Sequence, residues 1–292
     1  MLHFALCLAL TNASAAASAP AAPSVVRIPF DSTNGQIEIS ARVNGTPATF
    51  LLDTAAEYSV VSSRVADLLT LARDRVGSRE FSDDVTLTFG GISLEHQRVI
   101  VMPFDTYYAR NRRIDGLLGY DVFSRFVVRI DFEARTIDLW TPTAFRAPKV
   151  AIAVPIRFLG RLPAVSSTLK LPDGRSLPAQ LIVDTGAAQS IILRYPFANE
   201  NGLFDLASDS RVMPAPSLAS GELTLVDIPI AQASLSRWTF DRPHVQAHRE
   251  PIGSGASTAS DGLIGNGLLS RFTLTMDFTH QRMWLEPRRH VR

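Results

Sequence analysis

Short apolar runs interrupted by polar positions dominate the chain, and they predict more strands than helices. A period of two marks residues 36–43, whose apolar positions share one face: Ile37, Ile39, Ala41 and Val43. The dipeptide Asn44-Gly45 follows as a hairpin signal, and residues 48–52 return as the next strand. Residues 60–71 instead have helical spacing. Further strands are predicted at residues 25–30, 85–89, 92–102, 127–130 and 136–140. The pattern therefore predicts an all-β protein with short helices.

The second half of the sequence repeats the first. Residues 153–158, 165–171 and 181–183 match the opening strands in order. Residues 114–140 align without gaps on residues 260–286 at an offset of 146, and ten of these 27 positions are identical. This match indicates an internal duplication of two β-rich lobes, each of ordinary domain size. We expect the lobes to span residues 22–142 and 149–292, with a proline-containing linker around residues 141–148.

Each half contains an aspartate at the end of a buried strand. The first follows Phe50-Leu51-Leu52 as Asp53-Thr54-Ala55-Ala56, and the second follows Leu181-Ile182-Val183 as Asp184-Thr185-Gly186-Ala187. A carboxylate placed there is costly unless hydrogen bonds or a partner satisfy it. The same costly residue occurs twice in the same local context. We therefore expect the two aspartates to meet.

Two carboxyls at hydrogen-bonding distance cannot both ionise easily, so they share a proton. One member can act as a general base towards water while the other donates a proton to a carbonyl group. That chemistry hydrolyses a peptide bond without a metal or a covalent intermediate. A single aspartate after a strand more often caps a turn. Two copies, each followed by an apolar-apolar-Gly segment ending at Gly119 or Gly265, favour the catalytic pair.

On these motifs the chain resembles the aspartic proteases, specifically the retropepsin-like, bacterial-type members that carry two lobes in one polypeptide. Asp184-Thr185-Gly186-Ala187 matches the Asp-Thr-Gly-Ala motif fully, and Asp53-Thr54-Ala55-Ala56 matches at three of four positions. The resemblance implies two homologous acid-protease-type β-barrel lobes related by a pseudo-twofold axis. It also implies an aspartic endopeptidase with Asp53 and Asp184 as the catalytic pair. Thr54 and Thr185 would hydrogen-bond across the lobes, and the segments ending at Gly119 and Gly265 would pack behind the active-site loops.

Ala55 departs from the family, which has glycine at this position. A positive φ there would cost roughly 1 kcal/mol, whereas a negative φ with room for a methyl group would cost little. The alternative function is therefore a catalytically impaired peptide-binding pseudoprotease with the same cleft. A third possibility is a structural protein that uses the two lobes as a scaffold.

The family also closes a β-hairpin flap over its substrate. Residues 75–79, centred on Gly77, are the candidate flap of the first lobe, and residues 214–221 are the candidate of the second.

Composition and charge limit the classes of partner that the protein is expected to bind. The net charge of +1 gives no reason to expect nucleic acid or an anionic membrane surface. Residues 2–10 form an apolar run followed by small residues, which is typical of a signal peptide over residues 1–21 and too short for a transmembrane span. Cys7, the only cysteine, would be removed with it. We expect an exported, periplasmic or secreted monomer that acts on peptides or proteins.

Other sequence features do not favour a different chemistry. His244, His248 and Glu250 have a zinc-like spacing, but Pro243 and the polar surroundings favour a loop, so no metal and no cofactor is expected. Gly265-Asn266-Gly267 lacks the final glycine of a dinucleotide fingerprint. No Gly-x-Ser-x-Gly motif occurs, which gives a serine hydrolase no support.

Overall fold

The computed structural model describes residues 25–104, 113–149, 151–207, 212–217 and 221–288. Strands dominate these segments and the helices are short, so the prediction of an all-β protein with short helices is confirmed. The predicted signal peptide lies outside the described residues. Within them, no helix has the length and apolar character needed to cross a bilayer.

The first half alternates strands with two short helices. In chain order the described elements are β1 (Val25–Pro29), β2 (Glu38–Val43), β3 (Thr46–Leu52), β4 (Val60–Ser62), α1 (Ser63–Leu68), β5 (Asp74–Val76), β6 (Arg79–Phe89), β7 (Ile92–Met102), β8 (Gly116–Leu118), α2 (Tyr120–Phe123), β9 (Val127–Asp131) and β10 (Thr136–Trp140).

Six of these strands close into a barrel. The order β2-β3-β8-β4-β7-β6 returns to its start because β6 also pairs with β2, and β5 extends the sheet beyond β6. Asn44 and Gly45 connect β2 to β3 with φ values of 46° and 83°, the left-handed conformation that such a tight hairpin turn requires. Because β3 runs parallel to β8, the end of β3 lies beside the end of β8.

The second half continues with β11 (Ile152–Pro155), β12 (Arg157–Leu159), β13 (Leu162–Lys170), β14 (Ser176–Asp184), β15 (Ile191–Leu193), α3 (Tyr195–Glu200), a 3₁₀ turn (Leu203–Leu206), β16 (Val212–Ser217), β17 (Gly221–Asp227), β18 (Gln232–Leu235), β19 (Trp238–Asp241), β20 (Val245–His248), a second 3₁₀ turn (Gly253–Ala256), β21 (Gly262–Gly265), α4 (Asn266–Leu269), β22 (Phe272–Asp277) and β23 (Arg282–Pro287).

A ten-stranded sheet contains most of the second half. Its order is β16-β17-β20-β15-β21-β14-β13-β18-β19, and β12 pairs with β13. β14 runs parallel to β21, with Asp184 opposite Gly265. This pairing corresponds to the pairing of β3 with β8 in the first half.

The remaining strands of both halves form one sheet, which we call the shared sheet. Its order is β1-β10-β9-β22-β23-β11, so three strands from the first half adjoin three from the second. The junction is the antiparallel pair β9–β22, in which Ile130 lies opposite Leu274. An ion pair between Arg129 and Glu286 at 3.3 Å also connects the two halves.

The strands that end at the two aspartates are buried on both faces. Phe50, Leu51 and Leu52 are each at most 1% exposed. Residues 181–183 are at most 3% exposed. Burial of such apolar side chains stabilises the fold by about 1.5–3 kcal/mol each. The two strand ends are therefore held rigidly by the cores behind them.

Two predicted elements differ from the structure. The helical pattern at residues 60–71 yields a helix only over Ser63–Leu68, because Val60–Ser62 pair with β7 and β8 as a strand. The single strand predicted at residues 153–158 is divided between two sheets, since β11 pairs with β23 and β12 pairs with β13.

Candidate active site

Asp53 is the first residue after β3, and the barrel fixes its backbone. Its N–H donates to the carbonyl oxygen of Leu118 at 2.9 Å. Its Oδ1 accepts a hydrogen bond from the N–H of Ala55 at 2.7 Å. Only 8% of Asp53 is exposed. The carboxyl therefore lies within the protein instead of on a solvated turn.

Asp184 is the last residue of β14 and has a similar setting. Its Oδ1 accepts hydrogen bonds from the N–H groups of Gly186 at 2.9 Å and Ala187 at 3.0 Å. The residue is half-buried. In both turns, backbone N–H groups that follow the aspartate orient its carboxyl.

The structure places the carboxyl of Asp53 against the turn that follows Asp184, since a Cβ built at Gly186 would lie 2.7 Å from Cγ of Asp53, and the two carboxyls act on each other's pKa. Burial, followed by the charge of Asp184, raises the pKa of Asp53 well above its ordinary value of 3.8. Burial raises the pKa of Asp184 to about 6, while the N–H groups of Gly186 and Ala187 and the charge of Arg194 oppose the rise. Two carboxyls in contact titrate as a unit and share a proton.

Four hydrogen bonds made by Thr54 and Thr185 connect the two turns. The N–H of Thr54 donates to Oγ1 of Thr185 at 3.1 Å, and the N–H of Thr185 donates to Oγ1 of Thr54 at 3.0 Å. The hydroxyl of Thr54 donates to the carbonyl of Val183 at 2.6 Å, and that of Thr185 donates to the carbonyl of Leu52 at 2.8 Å. Both threonines are fully buried. These bonds hold the two aspartates in register.

Gly119 and Gly265 pack against the backs of the two turns. A Cβ added at Gly119 would lie 2.6 Å from the carbonyl oxygen of Ala56. A Cβ added at Gly265 would lie 2.5 Å from the carbonyl oxygen of Gln189. Real Cβ atoms do not approach backbone this closely, so a larger residue at either position would displace an active-site turn.

Ala55 and Gly186 have equivalent places, each directly after a threonine. Neither residue adopts a positive φ. A Cβ added at Gly186 would lie 2.7 Å from Cγ of Asp53, so close approach to the carboxyl, and not backbone conformation, requires glycine there. The backbone of Ala55 avoids the left-handed region, so its methyl group causes no backbone strain.

Two amide side chains that the sequence reasoning missed also bridge the halves. Nε2 of Gln36 donates to the carbonyl oxygen of Gly186 at 2.6 Å. Nδ2 of Asn266 donates to the carbonyl oxygens of Thr185 at 2.7 Å and Gly35 at 2.9 Å. The position of Asn266, directly after the internally repeated segment that ends at Gly265, was the available signal for this role.

A cation from the second half contacts the loop that follows Asp53. The guanidinium of Arg161 is 4.3 Å from the ring centre of Tyr58 and 5.0 Å from that of Tyr120. Its Nη1 donates to the carbonyl oxygen of Glu57 at 3.2 Å. Arg161 comes from the turn between β12 and β13, so it fixes the turn after Asp53 from the second half.

The predicted flap of the first half is a hairpin. Gly77 lies in the turn between β5 and β6 with a φ of 62°, and a Cβ there would meet nothing within 4 Å. Arg79 at the base of this turn pairs with Glu57 at 2.9 Å. The hairpin is thus tied to the loop that follows Asp53. The segment predicted as the second flap coincides with the β16–β17 hairpin, and its connecting residues 218–220 lie outside the described residues.

The histidines with zinc-like spacing have separate surroundings. His244 is exposed and hydrogen-bonds to Asp227 at 3.1 Å, whereas His248 is 5% exposed. Burial and the charge of Arg194 lower the pKa of His248 to about 4. Among the described residues, no group of three potential ligands could hold a metal ion.

A comparison with protein families supports the same class of enzyme as the two aspartate turns do. Residues 39–122 match the model of a family described as aspartyl protease. The matched segment runs from β2 into α2, and it contains Asp53, Thr54 and Gly119. The match supports an aspartyl protease family and, with it, a hydrolase. No curated protein matches the chain.

Proposed function

We propose that this protein is a retropepsin-like aspartic endopeptidase in which two lobes of one chain each supply one aspartate. The observation that supports this most directly is that the turns after Asp53 and Asp184 are hydrogen-bonded to each other, with Cγ of Asp53 2.7 Å from a Cβ built at Gly186. Each carboxyl is oriented by its own turn, and the threonine hydrogen bonds couple the turns. The family match at residues 39–122 supports the same class.

The proposed reaction uses the single proton that the pair holds. One carboxylate takes a proton from water as the water oxygen attacks the peptide carbonyl carbon. The other carboxyl donates its proton to the carbonyl oxygen, which gives a tetrahedral diol. Proton transfer to the amide nitrogen then permits cleavage of the C–N bond. The chain supplies all the groups that these steps need, so the proposal includes no metal or cofactor.

The proposed substrate is an extended peptide bound between the halves. In this proposal the β5–β6 hairpin, which the Arg79–Glu57 ion pair ties to the loop after Asp53, covers one side of the peptide. Because both aspartates come from one chain, the proposed active unit is a monomer.

Digestion of a pooled peptide library across pH tests the proposal. We expect cleavage at internal peptide bonds, and we expect a statine-type inhibitor to block it. Mass spectrometry of the products would locate the cleaved bonds. The absence of cleavage at every pH, with peptide binding retained, would favour the rival peptide-binding pseudoprotease. Ala55, the residue that suggested this rival, is free of backbone strain.

A further inference from the structure

The turn between β12 and β13 of the second half contacts the loop that follows Asp53. Its two residues are Gly160 and Arg161. Gly160 has a φ of 64°, and a Cβ built there would lie 3.5 Å from Oε1 of Glu57. The guanidinium of Arg161 donates to the carbonyl oxygen of the same residue, Glu57, at 3.2 Å. The second half therefore contacts both the backbone and the side chain of this loop.

Two aromatic rings hold the guanidinium of Arg161 in this position. Its central carbon lies 4.3 Å from the ring centre of Tyr58 and 5.0 Å from that of Tyr120. A cation within about 6 Å of an aromatic ring centre is attracted by the ring. Together with the hydrogen bond to Glu57, these contacts fix Arg161 against two consecutive residues of the first half.

The same two consecutive residues contact the β5–β6 hairpin. Oε2 of Glu57 pairs with Nη1 of Arg79 at 2.9 Å. The ring of Tyr58 meets the ring of Phe81 edge-on, with the ring centres 5.4 Å apart. Arg79 and Phe81 both lie on β6, one strand of the hairpin. Contacts thus continue from Arg161 through Glu57 and Tyr58 to the hairpin.

A corresponding contact runs from the first half to the second. Gly35 has a φ of 75°, and a Cβ built there would lie 3.0 Å from Cβ of Ala188. The next residue, Gln36, donates from Nε2 to the carbonyl oxygen of Gly186 at 2.6 Å. Each half therefore presents a glycine with positive φ, followed by a polar side chain, to the active-site turn of the other half.

The two contacts differ in what lies beyond the turn. Ala188 is the counterpart of Glu57, since each comes four residues after the aspartate of its half. The methyl group of Ala188 cannot form an ion pair, whereas Glu57 pairs with Arg79. Within the part of the chain that the structure describes, only the contact made by Arg161 continues to a hairpin through an ion pair.

We propose that Arg161 is a positioning residue through which the second half holds the β5–β6 hairpin over the peptide. This inference rests on the proposed function, to which it adds the control of the hairpin. A segment that is ordered before binding costs less conformational entropy when the peptide binds. The bonds from Thr185 to Thr54 and from Ala55 to Asp53 orient the catalytic turn without Arg161. Loss of Arg161 should therefore weaken peptide binding more than it slows the chemical step.

Amide hydrogen exchange of the full-length protein tests this role without an activity assay. Arg161→Met should raise the exchange rates of residues 74–81 at least about fivefold, the usual scale of a lost cation–π contact, with unchanged rates in β22 of the shared sheet. Arg161→Lys should restore much of the protection. Arg157→Met, at an exposed arginine of the neighbouring strand β12, is the matched control and should leave the hairpin unchanged. Wild-type exchange of the hairpin in Arg161→Met, or an equal increase in β22, would overturn the inference.

A double-mutant cycle tests whether Arg161 acts through the loop after Asp53. Arg79 is exposed, so Arg79→Gln should leave the protein folded while it removes the ion pair to Glu57. This variant alone should also increase exchange in the hairpin. Because Arg161 and Arg79 contact the same residue, we expect their combined effect to be smaller than the sum of the two. Additive effects would show that they act independently and would refute the proposed connection.

Peptide kinetics link the inference to catalysis. Arg161→Met should raise KM by a factor similar to the increase in hairpin exchange, with kcat within about twofold of wild type, the pattern of lost binding. If wild-type protein cleaves no peptide at any pH while the exchange results follow the expectation, the proposed function fails and the link to the hairpin stands. If peptides are cleaved and Arg161→Met leaves KM unchanged or lowers only kcat, the inference fails and the proposed function stands.

Discussion

Thr54 and Thr185 each accept a hydrogen bond from the other's backbone N–H, at 3.0 and 3.1 Å, with both hydroxyls fully buried. Each hydroxyl also donates to a carbonyl oxygen of the strand in the other half. The ends of β3 and β14 are consequently fixed to each other by backbone as well as side-chain groups. Any movement of one half against the other must break these bonds before it separates Asp53 from Asp184.

Replacing a threonine of this network should destabilise the protein. Thr185→Val keeps the shape of the side chain but leaves the N–H of Thr54 and the carbonyl of Leu52 buried without their partners. Each such group costs about 1–3 kcal/mol, so for the two groups we expect a loss of roughly 2–6 kcal/mol in the free energy of unfolding, measured in urea. Thr185→Ser keeps the hydroxyl and serves as the matched control. Equal stability of the Val and Ser variants would contradict the importance of these bonds.

The two aspartates should be equally indispensable. Asp53→Asn and Asp184→Asn each remove the ionisable proton from the pair, and residues that act as a unit are not additive. We expect each variant to lose at least about a thousandfold in the rate of peptide cleavage, with an unchanged circular dichroism spectrum. Asp83→Asn, at an exposed position, is the control. Wild-type-like cleavage by Asp53→Asn would show that Asp53 is not half of a catalytic pair.

A methyl group should be harmful at position 186 and tolerated at the equivalent position 55. Gly186→Ala would place Cβ 2.7 Å from Cγ of Asp53, so the carboxyl or the turn must move. We expect a fall of at least about tenfold in the cleavage rate, since misplacement of a reacting group is severe. Ala55→Gly should alter the rate only modestly, because the present methyl group is free of backbone strain. Large activation by Ala55→Gly would instead support an impaired wild-type site.

The aspartate pair should make the protein less stable as the pH rises. The folded-state pKa of Asp184, about 6, lies above its ordinary value of 3.8, so the folded protein binds the proton more tightly. The stabilisation that this bound proton gives the folded protein is complete below pH 3.8 and is lost as the pH rises through about 6. Asp184→Asn removes this dependence. Relative to wild type, its free energy of unfolding should improve by roughly 2–3 kcal/mol between pH 4 and 7, measured by urea titration at each pH.

His248 should have the opposite effect on the pH dependence of stability, over an overlapping pH range. Its folded-state pKa of about 4 lies below the ordinary value of 6.5, so the unfolded chain binds the proton more tightly. Stability is lost as the pH falls from about 6.5 towards 4. His248→Gln should therefore be less sensitive to acid than wild type, and His244→Gln, at an exposed histidine, should not differ from it. An unchanged acid sensitivity in His248→Gln would show that the buried imidazole does not resist protonation.

Short sequence motifs were sufficient to predict some features of the structure. Asn44-Gly45 predicted the first hairpin because a tight turn needs positive φ at both positions, and both have it. The doubled Asp-Thr motif led to the prediction that Asp53 and Asp184 meet, because a carboxyl at the end of a buried strand is costly without hydrogen bonds or a partner. The structure joins the two turns that carry these aspartates through the hydrogen bonds between Thr54 and Thr185.

Other features depend on partners that are distant in the sequence. Residues 60–62 have a helical pattern, yet pairing with β7 and β8 makes them a strand. Residues 152–159 look like one strand, but their two ends belong to different sheets. Such relationships exist only after the chain has folded.

The shared sheet makes the covalent connection between the halves dispensable in principle. The residues described between Trp140 and Ile152 belong to no strand, whereas β9 and β22 pair directly along four residues on each side. A chain cut in this connection would yield two fragments that still present complementary strand edges and complementary threonines. We expect such fragments to reassemble when they are co-expressed. The peptide linking them serves mainly to raise the effective concentration of one half near the other, as a tether between two binding partners does.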